Sequence, residues 1–275
     1  VPGVLQEHGA HLVALDLGEE DAVALGLTCG GAIDILVEVL DFGSGDTESG
    51  GQVRQALPLV PIVRIVSLGS EGGSGFVKPD GDMPPFVEED VVPVVRQAVW
   101  DSFGSTRSAV IEASDPGLFV DYWGPPPHLV VVGATEVGRY LVALAAAAGY
   151  RTTVIDSRAR FLSRDRFPNA DALLEGVPSE LVTGILIERS TSFALVVHDY
   201  KHDIPALAYL VDSPAQYIGL LAGGKRRANL MAMLRDRGLS KGQLARIRSP
   251  IGLDIAAESA AEIAVSILAE IQSHR

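Results

Sequence analysis

A short β-branched run, His128–Val132, leads through Gly133-Ala134-Thr135-Glu136-Val137-Gly138 into an apolar helical stretch at 137–148 that stops at Gly149. An unbroken apolar run of that length suits a strand buried on both faces, which in practice means a parallel sheet covered by helices. The pattern then repeats. Strand-like runs at 152–155, 194–197 and 217–221 alternate with helical stretches at about 204 onward, 226–237 and 259–273. Alternation of this kind predicts a doubly wound parallel sheet of the Rossmann type. Asp203 is expected to cap the helix near 204, with Pro205 in its first turn. Ser259-Ala260-Ala261-Glu262 has the form of a capping box.

The stretch before it reads differently. Gly124-Pro125-Pro126-Pro127 is a stiff spacer that neither a helix nor a central strand accommodates. Residues 1–124 are therefore expected to form an N-terminal mixed α/β domain, and 125–275 the Rossmann-like domain. Strands are expected at 11–15, 33–39, 108–112 and 118–123, with a turn at 28–31, a polar loop at 44–51 and a helix at 91–102. The run 59–68 is also β-rich, and Pro61 suggests an edge position for it. Charge separates the two parts. Residues 1–126 carry 5 Lys/Arg against 20 Asp/Glu, whereas 127–275 carry 17 against 15. A formal net charge of −13 argues against a nucleic-acid partner, and the second part is the better host for an anion. One cysteine excludes an intrachain disulfide and suits a cytoplasmic protein. No apolar run approaches the length of a membrane span.

The turn Gly133-Ala134-Thr135-Glu136-Val137-Gly138 approximates the dinucleotide fingerprint, with Thr135 where the middle glycine normally allows close approach of a pyrophosphate. Asp156, 23 residues after Gly133, stands where a carboxylate accepts ribose hydroxyls. Just beyond it Arg158, Arg160, Arg164 and Arg166 fall within ten residues, and guanidinium groups are preferred partners of phosphate. Asp156 favours NAD, Arg158 could take a 2′-phosphate, and the residues alone leave NAD against NADP open. Gly223, Gly224, Lys225 and Arg226 lie between a strand and the next helix, where clustered cations make sense around an anion or as solvated charges. His198 and Asp199, at a strand end, are candidates for acid/base catalysis or for metal ligation, or are structural. Cys29, between Thr28 and two glycines, is a candidate thiolate ligand for a metal or a carrier of sulfur, since a thiolate is both ligand and nucleophile.

The sequence resembles the XdhC/CoxI family, accessory proteins of xanthine dehydrogenase and related molybdenum hydroxylases. The resemblance rests on Val131-Val132-Gly133-Ala134, Ile155-Asp156-Ser157-Arg158, Arg166-Phe167-Pro168, His198-Asp199, Tyr217-Ile218-Gly219-Leu220-Leu221 and Ile251-Gly252-Leu253-Asp254-Ile255. Gly26-Leu27-Thr28-Cys29-Gly30-Gly31 is similar to the last motif of the family's N-terminal domain. Earlier glycine-rich motifs are missing or divergent upstream, and the chain opens on Val1 instead of Met. Ala222-Gly223 stands in place of a usual Gly-Ser, and Ala256 and Ala260 in place of a glycine and a proline.

The resemblance implies a maturation factor that binds molybdenum cofactor (molybdopterin or its dinucleotide) and delivers it to an apo molybdenum hydroxylase. A sulfurase as second partner and a homodimeric state are further expectations. Gly133, Ala134, Thr135, Gly138, Asp156, Arg158, Arg160, Arg166 and the Gly223–Arg226 cluster would hold the cofactor. The alternative is an NAD(P)-dependent oxidoreductase with His198 as proton donor.

Overall fold

The computed structural model describes residues 10–18, 31–38, 61–68, 73–78, 81–114, 116–197 and 199–275. By its contacts the chain divides into two compact units. One comprises Val1–Phe103 and Arg107–Pro125, the other Gly104–Thr106 and Pro126–Arg275.

The first unit holds an antiparallel ribbon of β1 (Ala10–Leu17) and β2 (Gly31–Glu38). It also holds a four-stranded antiparallel sheet built from β3 (Ile62–Ser67), β4 (Ser74–Val77), β5 (Ala109–Ile111) and β6 (Leu118–Trp123), in the order β4-β3-β6-β5. Helix α1 (Val92–Ser105) buries Val95, Val99 and Phe103 in the same cluster as Val63, Ile65 and Val120. The edge position expected for the run at 59–68 is not what forms. β3 lies between β4 and β6 and is buried throughout. Pro61 stands one residue before it, so its missing N–H costs the ladder nothing.

The second unit is a six-stranded parallel sheet. Its strands are β7 (His128–Val132), β8 (Arg151–Asp156), β9 (Ala172–Glu175), β10 (Thr191–Leu195), β11 (Tyr217–Leu220) and β12 (Ile247–Arg248). The order β12-β11-β10-β7-β8-β9 is the doubly wound Rossmann arrangement, with its reversal between β7 and β10. Alternate residues of the central strands serve opposite faces. Val130, Val132, Phe193 and Leu195 pack with Ile204 and Leu207 of α4 (Tyr200–Leu210) and Leu230 and Leu234 of α5 (Gly224–Asp236). Here α2 is Glu136–Ala147, α3 is Pro178–Leu181, α6 is Lys241–Ala245 and α7 is Ala260–Ser273. On the other face Leu129 and Val131 pack with Leu141, Val142 and Ala145 of α2 and Ile267 and Ile271 of α7. Both faces of β7 and β10 are thus dry, which is why their sequences carry no polar alternation.

Ser259 caps α7 through the reciprocal bonds with Glu262 that its sequence predicts. The start of α4 differs from expectation. Its cap is Asp199, which accepts from the Lys201 N–H at 3.0 Å, and the helix begins four residues before Ile204. Asp203 is inside the helix and buried. Among the described residues no helix is long and apolar enough to cross a membrane.

Ala256, where the resemblance noted above expects a glycine, has φ of +53° and is exposed. The requirement met by glycine there is conformational: a left-handed backbone costs an L-residue about 1–2 kcal/mol, against the about 0.5–1 kcal/mol that glycine loses in chain entropy. Ala256→Gly should therefore stabilise the protein by about 0.5–1 kcal/mol, read as a higher urea midpoint with an unchanged m-value.

Candidate functional site

The reversal between β7 and β10 leaves a crevice of about 290 Å³ above the carboxyl ends of the strands. Gly133, Thr135, Asp156, Arg158, Asp199 and His202 are among the residues lining it. The floor depends on Gly133, whose φ is +120° and where a Cβ would stand 2.9 Å from the Val197 backbone nitrogen. Gly138 has a different reason to be glycine: a Cβ there would lie 2.6 Å from the Gly133 carbonyl oxygen, so α2 could not sit down on the turn. Thr135 is the cap of α2, and its hydroxyl accepts from the Gly138 N–H at 3.1 Å. The residue in the middle glycine position thus satisfies one of the helix's own orphan donors.

Asp156 ends β8 with a side chain only 3% exposed. Its Oδ2 accepts from the Ala134 N–H at 2.6 Å and from Arg158 Nη2 at 2.8 Å, and its Oδ1 from the Arg158 N–H and Nε, both at 2.9 Å. Burial pushes this carboxyl up, but the bonds from the Arg158 side chain, the Ala134 N–H and the Arg158 N–H together outweigh it and hold the group below its ordinary value. The carboxylate therefore joins the Gly133-Ala134 turn to the loop after β8. Hydrogen bonds to charged groups contribute about 1.5–3 kcal/mol each when buried, so this junction is firm.

The other arginines divide by what they touch. The guanidiniums of Arg158 and Arg160 each lie 4.6 Å from the Phe161 ring centroid, and that of Arg166 lies 5.4 Å from it. Arg166 Nη2 also pairs with Glu136 at 2.8 Å, while its Nη1 donates to the Ala134 and Phe161 carbonyls. Arg164 is spent on the Ala170 and Asp171 carbonyls. Arg160 is exposed. So Arg158 lines the crevice, Arg166 braces its turn, and Arg164 ties down the loop.

The second basic cluster is not among the lining residues. Gly223 caps α5, Gly224 opens it with φ of +50°, and Lys225 is exposed. Arg226 turns inward: it donates to the Leu221 carbonyl at 2.8 Å and to the Val197 carbonyl at 3.4 Å, and pairs with Asp203 at 2.5 Å. Its charge is paired with a buried carboxylate. Asp203 is pushed up to about 6, chiefly by burial, against the opposing charge and hydrogen bond of Arg226.

Two of the candidate residues, His198 and Cys29, lie outside the described residues. Among the described residues no group of three or more His, Cys, Asp or Glu side chains is placed to hold a metal. Sequence reasoning passes over His202, which lines the crevice with Nε2 3.8 Å from Asp199 Oδ2. With Asp199 as the cap, the spacing of three places His202 one turn into α4 on the same side. That spacing is visible in the sequence, but it carries no meaning while Asp203 is read as the cap.

Residues 129–271 match the family described as the XdhC Rossmann domain. A protein of Bacillus subtilis named as a probable subunit of xanthine dehydrogenase is 31% identical over 154 residues, 56% of this chain and 44% of that protein. The molybdenum cofactor insertion chaperone PaoD of Escherichia coli is 26% identical over 151 residues, 55% of this chain and 41% of that one. The chain thus spans less than half the length of these curated relatives. A crystal structure of a xanthine dehydrogenase from Bacillus halodurans superimposes with a TM-score of 0.63 at 23% identity, covering 99% of this chain and 77% of that chain. At that identity the likeness concerns the fold alone.

The Asp203–Arg226 pair generates a pH prediction. A carboxyl whose folded value lies above its unfolded value contributes stability that is full below about pH 4 and is lost as pH rises through about 6. Asp203→Asn removes that component. In urea titrations, the stability of the native chain relative to this variant should be greater at pH 4 than at pH 7. An unchanged difference would assign the group an ordinary value.

Proposed function

The chain belongs to the XdhC family, and we propose that it is an accessory factor that binds molybdenum cofactor in the switch-point crevice and delivers it to an apo molybdenum hydroxylase. The observation that carries this reading is the crevice itself: about 290 Å³, with the Gly133 turn on one side and the Arg158 guanidinium on another. The names of two relatives, a probable subunit of xanthine dehydrogenase and a molybdenum cofactor insertion chaperone, point the same way.

The residues present fit a phosphorylated heterocycle. Gly133 packs its turn directly against the Val197 backbone at a positive φ that a side chain would not tolerate, and this shapes the floor of the crevice. Arg158 offers a fork of donors suited to phosphate, and the volume lies near the lower end for ligand sites, which run from about 300 Å³. The phosphate-bearing part of the ligand would be the part held at Arg158. Once installed in the hydroxylase, the cofactor supplies the metal centre of that enzyme. The work of this chain is to bind, orient and shield it. Gly133 and Thr135 shape the floor, Asp156 fixes the turn and Arg158, and Arg158 meets the phosphate. Arg166 holds the turn against the arginine loop through Glu136.

Purification under anaerobic conditions from cells that make molybdopterin should yield protein with retained pterin, measured by fluorescence after oxidation. Gly133→Val, which meets the Val197 backbone, should lower retention about tenfold or more, and Arg158→Lys, which keeps a cation beside the buried Asp156 carboxylate but loses the fork, should lower it in protein that remains folded by circular dichroism. The loaded protein should restore activity to an apo-hydroxylase. Folded protein that retains no pterin and restores no activity would overturn the reading.

A further inference from the structure

Every acceptor position of Asp156 is used inside the protein. A carboxylate offers about four lone-pair sites. Here two bonds reach Oδ1, from the Arg158 N–H and Nε, and two reach Oδ2, from the Ala134 N–H and Arg158 Nη2. The ordinary task of an acid at the end of the second strand, accepting both hydroxyls of a ribose, is therefore closed to it. Releasing Arg158 would not cheaply reopen it. The carboxylate is 3% exposed and would be left charged without its cation, while both backbone N–H bonds would remain.

Arg158 is the reverse case. A guanidinium carries five N–H donors, and Asp156 takes two of them from the Nε/Nη2 edge. The other three, both on Nη1 and one on Nη2, belong to a side chain that is 45% exposed and lines the crevice. Phe161 backs the guanidinium at 4.6 Å, so the fork is braced by an ion pair and a ring before any ligand arrives. A dianionic oxygen triad is the chemical complement of such a group.

We propose that this crevice selects ligands that place a phosphate monoester at Arg158 over ligands that present a free ribose diol there. Arg158 determines the specificity, and Asp156 is its positioning residue. The inference rests on the reading that the crevice is the ligand site, and it narrows that reading. Of the forms of the pterin cofactor, the one ending in a phosphate monoester fits Arg158 better than one joined to a nucleotide.

NADPH and NADH are suitable probes because they differ only by a 2′-phosphate. Fluorescence titrations at one fixed ionic strength should show NADPH bound about tenfold more tightly or better. Arg158→Gln should bring the two affinities within about twofold of each other. Arg158→Lys, which keeps the charge and loses the fork, should give an intermediate ratio and serves if the glutamine variant does not fold. Equal affinities, tighter binding of NADH, a ratio unmoved by Arg158→Gln, or binding of neither probe would each overturn the proposal. Pterin retention in the same preparations separates the two ideas. Pterin retained without any preference for NADPH defeats the selectivity alone, and a preference for NADPH without retained pterin defeats the maturation role alone.

Discussion

The buried Asp156 carboxylate is the point on which the ligand crevice depends. It sits at the carboxyl end of β8, under the reversal of the sheet, and its oxygens bind three groups at once. One is the Gly133-Ala134 turn, the second the backbone entering the arginine loop, the third the Arg158 guanidinium. A charge this deeply buried is tolerated only when it is paired and hydrogen-bonded. The same bonds that make it tolerable fix the distance between the floor of the crevice and its cationic wall.

Around that carboxylate, the density of arginine in the loop has several distinct causes. Arg164 satisfies carbonyls left over where the chain returns to β9. Arg166 brings Glu136, at the first turn of α2, to the loop. Arg158 and Arg160 share the Phe161 ring. A cluster that reads in one dimension as a single phosphate trap is resolved into braces and one donor facing the crevice. The cluster before α5 behaves likewise. Arg226 pairs with the buried Asp203 of α4, so its charge is committed to the interior, while the neighbouring Lys225 stays exposed.

Much of this fold is legible in the sequence, and the reason is period. The strands at the centre of the parallel sheet are dry on both faces, so they show no alternation of exposed and buried residues, most plainly in the Leu129–Val132 run of β7. The helices between them carry caps whose residue types are nearly diagnostic, as with Ser259 and Glu262. Elements at the margin carry weaker signals. β12 is two residues long and β9 is only half-buried, so neither imposes a pattern on its sequence. Pro61 misleads because a proline beside a strand and a proline within an edge strand look alike until the strand's first residue is known. Asp199 and Asp203, four residues apart, compete for one cap, and the choice between them moves His202 from an ordinary helix position to the crevice wall.

The sequence by itself determined the doubly wound sheet, the glycine turn at its first crossover and the acid at the end of the next strand, because backbone sterics and hydrophobic period act over short stretches. It could not decide what that acid does. Whether a carboxylate accepts from a ligand or from its own protein depends on which donors the fold brings within about 3 Å, and those come from residues 2 and 22 positions away in the chain. Only the packed structure set that balance. In doing so it left Asp156 fully engaged and Arg158 with donors to spare.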